Sequence, residues 1–231
     1  MTNKLIKVDR VRSAGEAREV EALGAGLVGV QLATDPRFAD DRAVTVLEAA
    51  AIGRELRRAG LVLVMELRDA ERVRDVIAET GATLVQPIIG VVPPAEVRAA
   101  VRDAGAGIVY GGVEIAHDDD PGWVLSRYTD TPGLDAALFQ ADVLTEYRDS
   151  WAFLRDRAPE FDDEFQIDDL NDLARKYPLL VGLDFTPANV GEIAAALPDV
   201  RGFVLTIADQ ARRGDARCHP YAAVLDVLRA F

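Results

Sequence analysis

The stretch LIKVDRVRSAGEAREVEALGAGLVGVQL, residues 5–32, decides the fold. It opens on a short apolar run, Leu5–Asp9, and closes on a second, Leu27–Leu32. Between them Ser13, with Glu16 three residues on, reads as the capping-box start of a helix. Strand, helix and strand in succession form the unit that joins parallel strands. Asp9 and Arg10 stand where the first apolar run stops, so a buried strand ends in an acid and a base.

The unit repeats along the chain. Strands are expected at Leu5–Asp9, Leu27–Leu32, Leu61–Glu66, Thr83–Ile88, Gly107–Val113, Ala136–Ala141, Leu179–Asp184 and Gly202–Thr206. They are nearly continuous runs of Val, Leu and Ile, the pattern of parallel strands covered on both faces. Helices lie between them. DDRAVTVLEAAAIGRELRRAG (40–60) and PPAEVRAAVRDAG (93–105) are the clearest, each with a terminal Gly as a C-cap signal. DDDPGW (118–123) and TPANV (186–190) read as further helix starts. Eight strand–helix units predict an α/β fold, a (β/α)8 TIM barrel in one domain over residues 1–231. A doubly wound open sheet is the competing arrangement. It does not call for eight evenly spaced units, and no GxGxxG follows the first strand. Residues 143–177 break the rhythm: they are long and acidic, and they follow strand six. They read as an insertion that either covers the active face or forms a solvated surface excursion.

A chain of 231 residues suits one barrel, a fold of about 250 residues. The formal charge of −13 argues against nucleic acid and anionic membranes as partners. Cys218 is the only cysteine, which leaves no internal disulfide and no multi-cysteine metal site. No apolar run approaches the roughly 20 residues of a membrane span. These features predict a cytoplasmic monomer or homodimer acting on a small molecule.

In a barrel the chemistry sits at the C-terminal ends of the strands. Those ends carry Asp9, Arg37, Glu66, Gln86, Glu114 with His117, Gln140 with Asp142, Asp184 and Thr206. Four strands end in a carboxylate: Asp9, Glu66, Glu114 and Asp184. Carboxylates converging on a low-dielectric mouth can divide the roles of acid and base. Each taken alone also reads as a loop or capping residue. No HxxxH or HxD spacing occurs, and His117 and His219 are the only histidines, so no metal is expected. A Schiff base would need a strand-end lysine, and Lys7 lies two residues before an end. The turns after strands seven and eight, GLDFTPANV and VLTIADQARRGD, lack the glycines of a phosphate cradle.

The chain resembles the phosphoribosylanthranilate isomerase family in the order and spacing of its motifs. IKVDRVRSAGEAREVEALGAGLVGVQLATDPRF (6–38) is similar to the family's K-I-C-G-I-T, helix, A-G-A-D-x-I-G-F and S-P-R-Y. ATLVQPIIG (82–90) is similar to V-V-Q-L-H-G, and LLVGLDFTPANVGEIAAAL (179–197) to L-A-G-G-L-N-P-E-N-V. The resemblance implies a TIM barrel and an Amadori rearrangement driven by a cysteine base and an aspartate acid. Asp9 stands at the cysteine position. The strand-six acid falls on Gln140, with Asp142 two residues on. Arg37 matches the arginine that holds the substrate carboxylate, and Gln86 matches the strand-four glutamine. Leu183-Asp184 replaces the Gly-Gly after strand seven, which puts a carboxylate where a phosphate would bind.

These readings predict a divergent isomerase- or cyclase-type enzyme, without cofactor, acting on an unphosphorylated small molecule in specialised metabolism. Asp9 serves as base, Asp184 or Asp142 as acid, and Arg37, Gln86, Gln140, Glu66 and Glu114 line the substrate. An authentic phosphoribosylanthranilate isomerase and a non-catalytic binding or scaffold barrel are the alternatives. On the catalytic reading, Asp9→Asn abolishes turnover and leaves thermal stability nearly unchanged.

Overall fold

The computed structural model describes residues 4–33, 40–209 and 217–231. Eight parallel strands follow in chain order: β1 (Leu5–Asp9), β2 (Leu27–Gln31), β3 (Gly60–Met65), β4 (Leu84–Pro87), β5 (Gly107–Ile115), β6 (Ala136–Val143), β7 (Leu179–Gly182) and β8 (Gly202–Ile207). Each pairs with the next, and β8 returns to β1 in a register running from Leu5↔Gly202 to Asp9↔Thr206. The sheet is a closed (β/α)8 barrel, as the apolar rhythm predicts, and not an open doubly wound sheet. A two-residue strand, β9 (Cys218–His219), pairs with the end of β8 through Thr206↔Cys218.

Alternation along the strands separates two cores. Leu27, Val62, Val109, Leu138, Leu180 and Val204, with Leu5 and Leu84, form one cluster with a member from every strand, which is the floor of the barrel interior. Ile6, Val8, Val28, Leu63, Val85 and Phe203 point the other way, into the larger cluster shared with the helices. Both faces of each strand are covered, so the strands read as unbroken apolar runs.

The helices are α1 (Ala14–Ala22), α2 (Val46–Glu55), α3 (Ala70–Thr80), α4 (Ala95–Asp103), α5 (Ser126–Thr129), α6 (Ser150–Ala152), α7 (Ile167–Lys176), α8 (Val190–Ala196) and α9 (Tyr221–Ala230). Local chemistry moves several ends from the places the sequence suggests. Helix α2 starts at a reciprocal Thr45–Glu48 capping box, not at Asp40, and Gly60 opens β3 instead of capping α2. Residues 118–123 form turns, and the helix behind them is the single turn α5. Thr186 accepts the Asn189 N–H, and α8 begins one residue later. Strand β6 continues to Val143, so Asp142 is a strand residue. The segment after β6 holds α6, a π-helical turn over Phe153–Arg157, a 3-10 turn and then α7. No helix among the described residues is long and apolar enough to cross a membrane.

Glu21, on α1, is 8% exposed. Its Oε1 accepts three successive backbone N–H groups, from Arg57, Arg58 and Ala59, at 2.9, 2.7 and 2.8 Å. These bonds close the turn between α2 and β3. Burial pushes the Glu21 carboxyl pKa up, but the three donors outweigh it and hold the value below the usual range. A carboxylate with a lowered native pKa stabilises the fold above its unfolded pKa, and that contribution fades as pH falls through the native value. Glu21→Gln should therefore cost about 1–3 kcal/mol at pH 7. The gap from wild type should shrink on acidification below the ordinary glutamate pKa. Urea melts of the two proteins at a series of pH values check this.

Candidate functional site

The interior above the apolar floor is polar. Along β1 the inward positions are Leu5, Lys7 and Asp9, so the lysine stands one layer above the floor and the aspartate one layer higher. Lys7 is fully buried. Its ammonium donates to Asp9 Oδ2 at 2.7 Å, Gln86 Oε1 at 2.8 Å and Gln140 Oε1 at 2.6 Å. A lysine has three donors, and all three are used. The acceptors come from β1, β4 and β6, so the ammonium ties three strands across the barrel axis. Gln140 Nε2 also donates to Asp9 Oδ2, at 3.3 Å. Lys7 Nζ lies 2.7 Å from Asp9 Oδ1 as well, yet no described residue hydrogen-bonds this oxygen.

Two glycines make room for the cluster. A Cβ at Gly29 on β2 would overlap Asp9 Oδ1, and one at Gly111 on β5 would overlap Gln86 Nε2. A third repeats the device one layer up, where a Cβ at Gly182 on β7 would overlap Asp142 Oδ1. Asp142 therefore shares the inward face with Gln140 and stands above it. Val64 and Thr206 continue the inward rows of Val62 and Val204 and are half-buried. Side chains facing the axis gain that exposure through the mouth, while Lys7, Asp9, Gln86 and Gln140 are buried. Within the ion pair only the carboxylate is reached: the Asp9 side chain is 8% exposed, Lys7 0%.

Arginines and carboxylates fasten the rim. Arg42 is 1% exposed and donates to the Arg10 carbonyl at 2.7 Å, to Glu16 at 2.5 Å and to Asp209. Arg10, at φ 66°, donates to the Ile207 carbonyl at 2.9 Å and to Asp40 at 2.7 Å. Burial pushes the Asp40 carboxyl pKa up, and the Arg10 guanidinium and the Arg42 N–H bring it below its ordinary value. Together these bonds join the segments after β1, β2 and β8. Arg217, buried beside β9, extends towards the Val143 carbonyl at the end of β6, at 3.5 Å.

The sequence-predicted residues divide by place. Asp9, Gln86 and Gln140 meet at Lys7, and Asp142 lies above them. Asp184 is held elsewhere: its Oδ1 accepts Ser150 Oγ at 2.7 Å and the Trp151 N–H at 2.8 Å, capping the start of α6. Glu66 lies beside Arg68, at 3.8 Å, and lines a crevice with the segment after β4. Glu114 lines a cleft of about 280 Å³ with Trp123 and Arg127, and a bulge between Tyr110 and Val113 puts it in register with Asp142 of β6. His117 pairs with Glu164 at 3.1 Å. Arg37 lies outside the described residues. Among the described residues no group of three or more His, Cys, Asp or Glu side chains could hold a metal ion. Lys7 is the residue that strand-end reading undervalues. Its signal is a lysine two residues from both Leu5 and Asp9 in an otherwise apolar strand. Arg42 and Arg217 carry no such signal, because they lie in segments without periodicity.

No protein-family profile matches the chain. No curated protein matches it either. Solved structures do. N-(5'-phosphoribosyl)anthranilate isomerase from Pyrococcus furiosus superposes with a TM-score of 0.65 at 16% identity, over 98% of both chains. Phosphoribosyl anthranilate isomerase from Thermococcus kodakaraensis gives 0.63 at 18%, again over 98% of both. A phosphoribosyl anthranilate isomerase in complex with reduced 1-(o-carboxyphenylamino)-1-deoxyribulose 5-phosphate gives 0.65 at 15%, over 98% of this chain and 97% of that one. The chain is a TIM barrel of the kind these isomerases have. The resemblance read from its motifs thus holds at the level of the fold, with low identity throughout.

The stability expected for Asp9→Asn changes with this geometry. Asp9 is the counter-ion of a buried ammonium, and removing one partner of a buried ion pair costs about 3–5 kcal/mol. Asp9→Asn and Lys7→Met should each lower the unfolding free energy, with Asp9→Asn at the lower end because Asn still offers an oxygen. The double variant should lose less than the sum of the two, since the partners share one interaction. Denaturant melts of the four proteins measure this coupling, and strict additivity would contradict the pairing.

Proposed function

We propose that the protein is an isomerase-type barrel enzyme that moves a proton on a small, unphosphorylated, carbonyl-bearing substrate, with Asp9 as general base. One observation carries the reading. At the floor of the mouth the carboxylate of a buried ion pair, and not its ammonium, is the end that solvent touches, and its buried Oδ1 makes no hydrogen bond with a described residue. A positioned carboxylate can take and return a proton without a cofactor. Asp142, one layer above on the same face, is the group within the interior suited to act as its acid partner. Asp184, engaged by α6, serves in fastening the 143–177 segment beside the mouth, where that segment acts as a cover.

The substrate class follows from the loops after β7 and β8. A barrel phosphate site uses free backbone N–H groups there. Asp184 draws on the Trp151 N–H, and Asp209 faces Arg12 and Arg42. The fixed Asp184 carboxylate, bonded only to neutral donors, repels a phosphate dianion, and the Arg12 and Arg42 guanidinium groups are already engaged by Asp209. The neighbours that carry phosphoribosyl in their names therefore lend the fold and the type of reaction, not the substrate. A non-catalytic barrel is the second reading, and the complete bonding of Lys7 favours it, since a satisfied buried network also serves as core.

Proton exchange separates the readings. In D2O, unphosphorylated aldoses, ketoses and their arylamine conjugates are followed by 1H NMR for loss of the C–H signal beside the carbonyl. Enzyme-dependent exchange with at least one member is expected, and Asp9→Asn should abolish it under conditions where circular dichroism shows the variant folded. No exchange across the panel, or an active Asp9→Asn protein, overturns the assignment. A second measurement tests the missing phosphate. Millimolar phosphate or sulfate should move the melting temperature no further than sodium chloride of equal ionic strength. A specific rise would return the protein to the phosphoribosyl class.

A further inference from the structure

Gln86 has an unused donor beside the proposed base. Its Oε1 accepts from Lys7 at 2.8 Å. Its Nε2 lies over Gly111, where a Cβ would overlap it, and hydrogen-bonds no described residue. The orientation of the amide is imposed. An ammonium carries only donors, so a glutamine that bonds Lys7 must present its oxygen and turn its NH2 away. Gln140 obeys the same rule, and its NH2 goes to Asp9. The NH2 of Gln86 is the one left over. Asp9 Oδ2 and Gln86 Oε1 bond the same Lys7 nitrogen, so the two side chains meet there, with the spare Gln86 donor on the side of Gly111 and Asp9 Oδ1 on the side of Gly29.

We propose that Gln86 Nε2 is the donor that binds the substrate carbonyl oxygen, and that Lys7 is the positioning residue that fixes both this amide and Asp9. The proposal rests on the reading of Asp9 as the proton-transferring group, and it narrows the substrate to an α-hydroxycarbonyl compound or the corresponding amine adduct. Asp9 removes the proton from the carbon beside the carbonyl. The C–H pair becomes the new C=C bond, and the carbonyl π pair moves onto the oxygen, where the Gln86 N–H stabilises the developing charge. Return of the proton to the former carbonyl carbon, with transfer of the hydroxyl proton between the two oxygens, completes a 1,2-isomerisation. Nothing is oxidised or reduced overall, and Asp9 is regenerated.

The test uses Gln86→Glu and Gln86→Met on the panel member that exchanges fastest. Glutamate keeps an oxygen for Lys7 and methionine keeps the volume, but both lack the donor. Each should lower the turnover number by about 100-fold, the scale of losing one oxyanion donor, with a much smaller change in KM. Turnover within about threefold of wild type in either folded variant overturns the role of Gln86. Lys7→Met should in addition move the acid limb of the pH–rate profile to higher pH, because a carboxylate that loses its counter-ion is protonated more readily. An unmoved limb in a folded Lys7→Met protein removes Lys7 from the mechanism. Should that variant not fold, the same limb read in Lys7→Gln, which keeps a donor and removes the charge, decides the point in the same direction. If Asp9→Asn stays active, the underlying reading fails. If Asp9→Asn is inactive while the Gln86 variants retain turnover, only this inference fails.

Discussion

A lysine ammonium sealed inside the barrel is the constraint around which this structure is arranged. Desolvating a unit charge costs several kcal/mol, and only close, well-directed acceptors offset it. Lys7 has one charged and two neutral acceptors, drawn from β1, β4 and β6. Each acceptor fixes something further. Asp9 must lean over β2, which requires Gly29, and Gln86 must lean over β5, which requires Gly111. The register of three strands and the identity of two glycines follow from one charge.

The same constraint gives the interior a direction. Below Lys7 the barrel is filled by a ring of apolar side chains, one from each strand. Above it stand Asp142, Val64 and Thr206, and solvent reaches that level. The ammonium faces none of this solvent, whereas its partner carboxylate does. Within the ion pair the carboxylate therefore lies on the side of the mouth, with the cation as its support. An arrangement of that kind suits proton transfer at carbon, and it differs from a cationic pocket built to hold phosphate.

The rim obeys a separate rule. Arg10 and Arg42 bind carbonyls and carboxylates from the segments after β1, β2 and β8, and Asp184 binds the start of α6. Strand-end carboxylates are thus used in two ways. Asp9 points into the barrel and meets a buried cation, while Asp184 turns towards a neighbouring loop and fastens it. Both residues look alike as the polar end of an apolar run, and the difference lies in which elements the chain folds against them.

The sequence by itself determined the barrel. Eight apolar runs separated by amphipathic segments leave few other ways to bury both faces of parallel strands, and that information is local to each run. Asp9, Gln86 and Gln140 were legible as strand-end groups for the same reason. The importance of Lys7 was not, since a lysine within a strand has no meaning until its acceptors are known, and two of them lie 79 and 133 residues away. The face to which Glu114 turns depended on a bulge in β5, which puts it in register with Asp142. The engagement of Asp184 depended on where α6 came to rest. Tertiary structure decided these matters because the energy of a buried polar group is set by the partners that meet it across the fold, and strand periodicity carries no record of them.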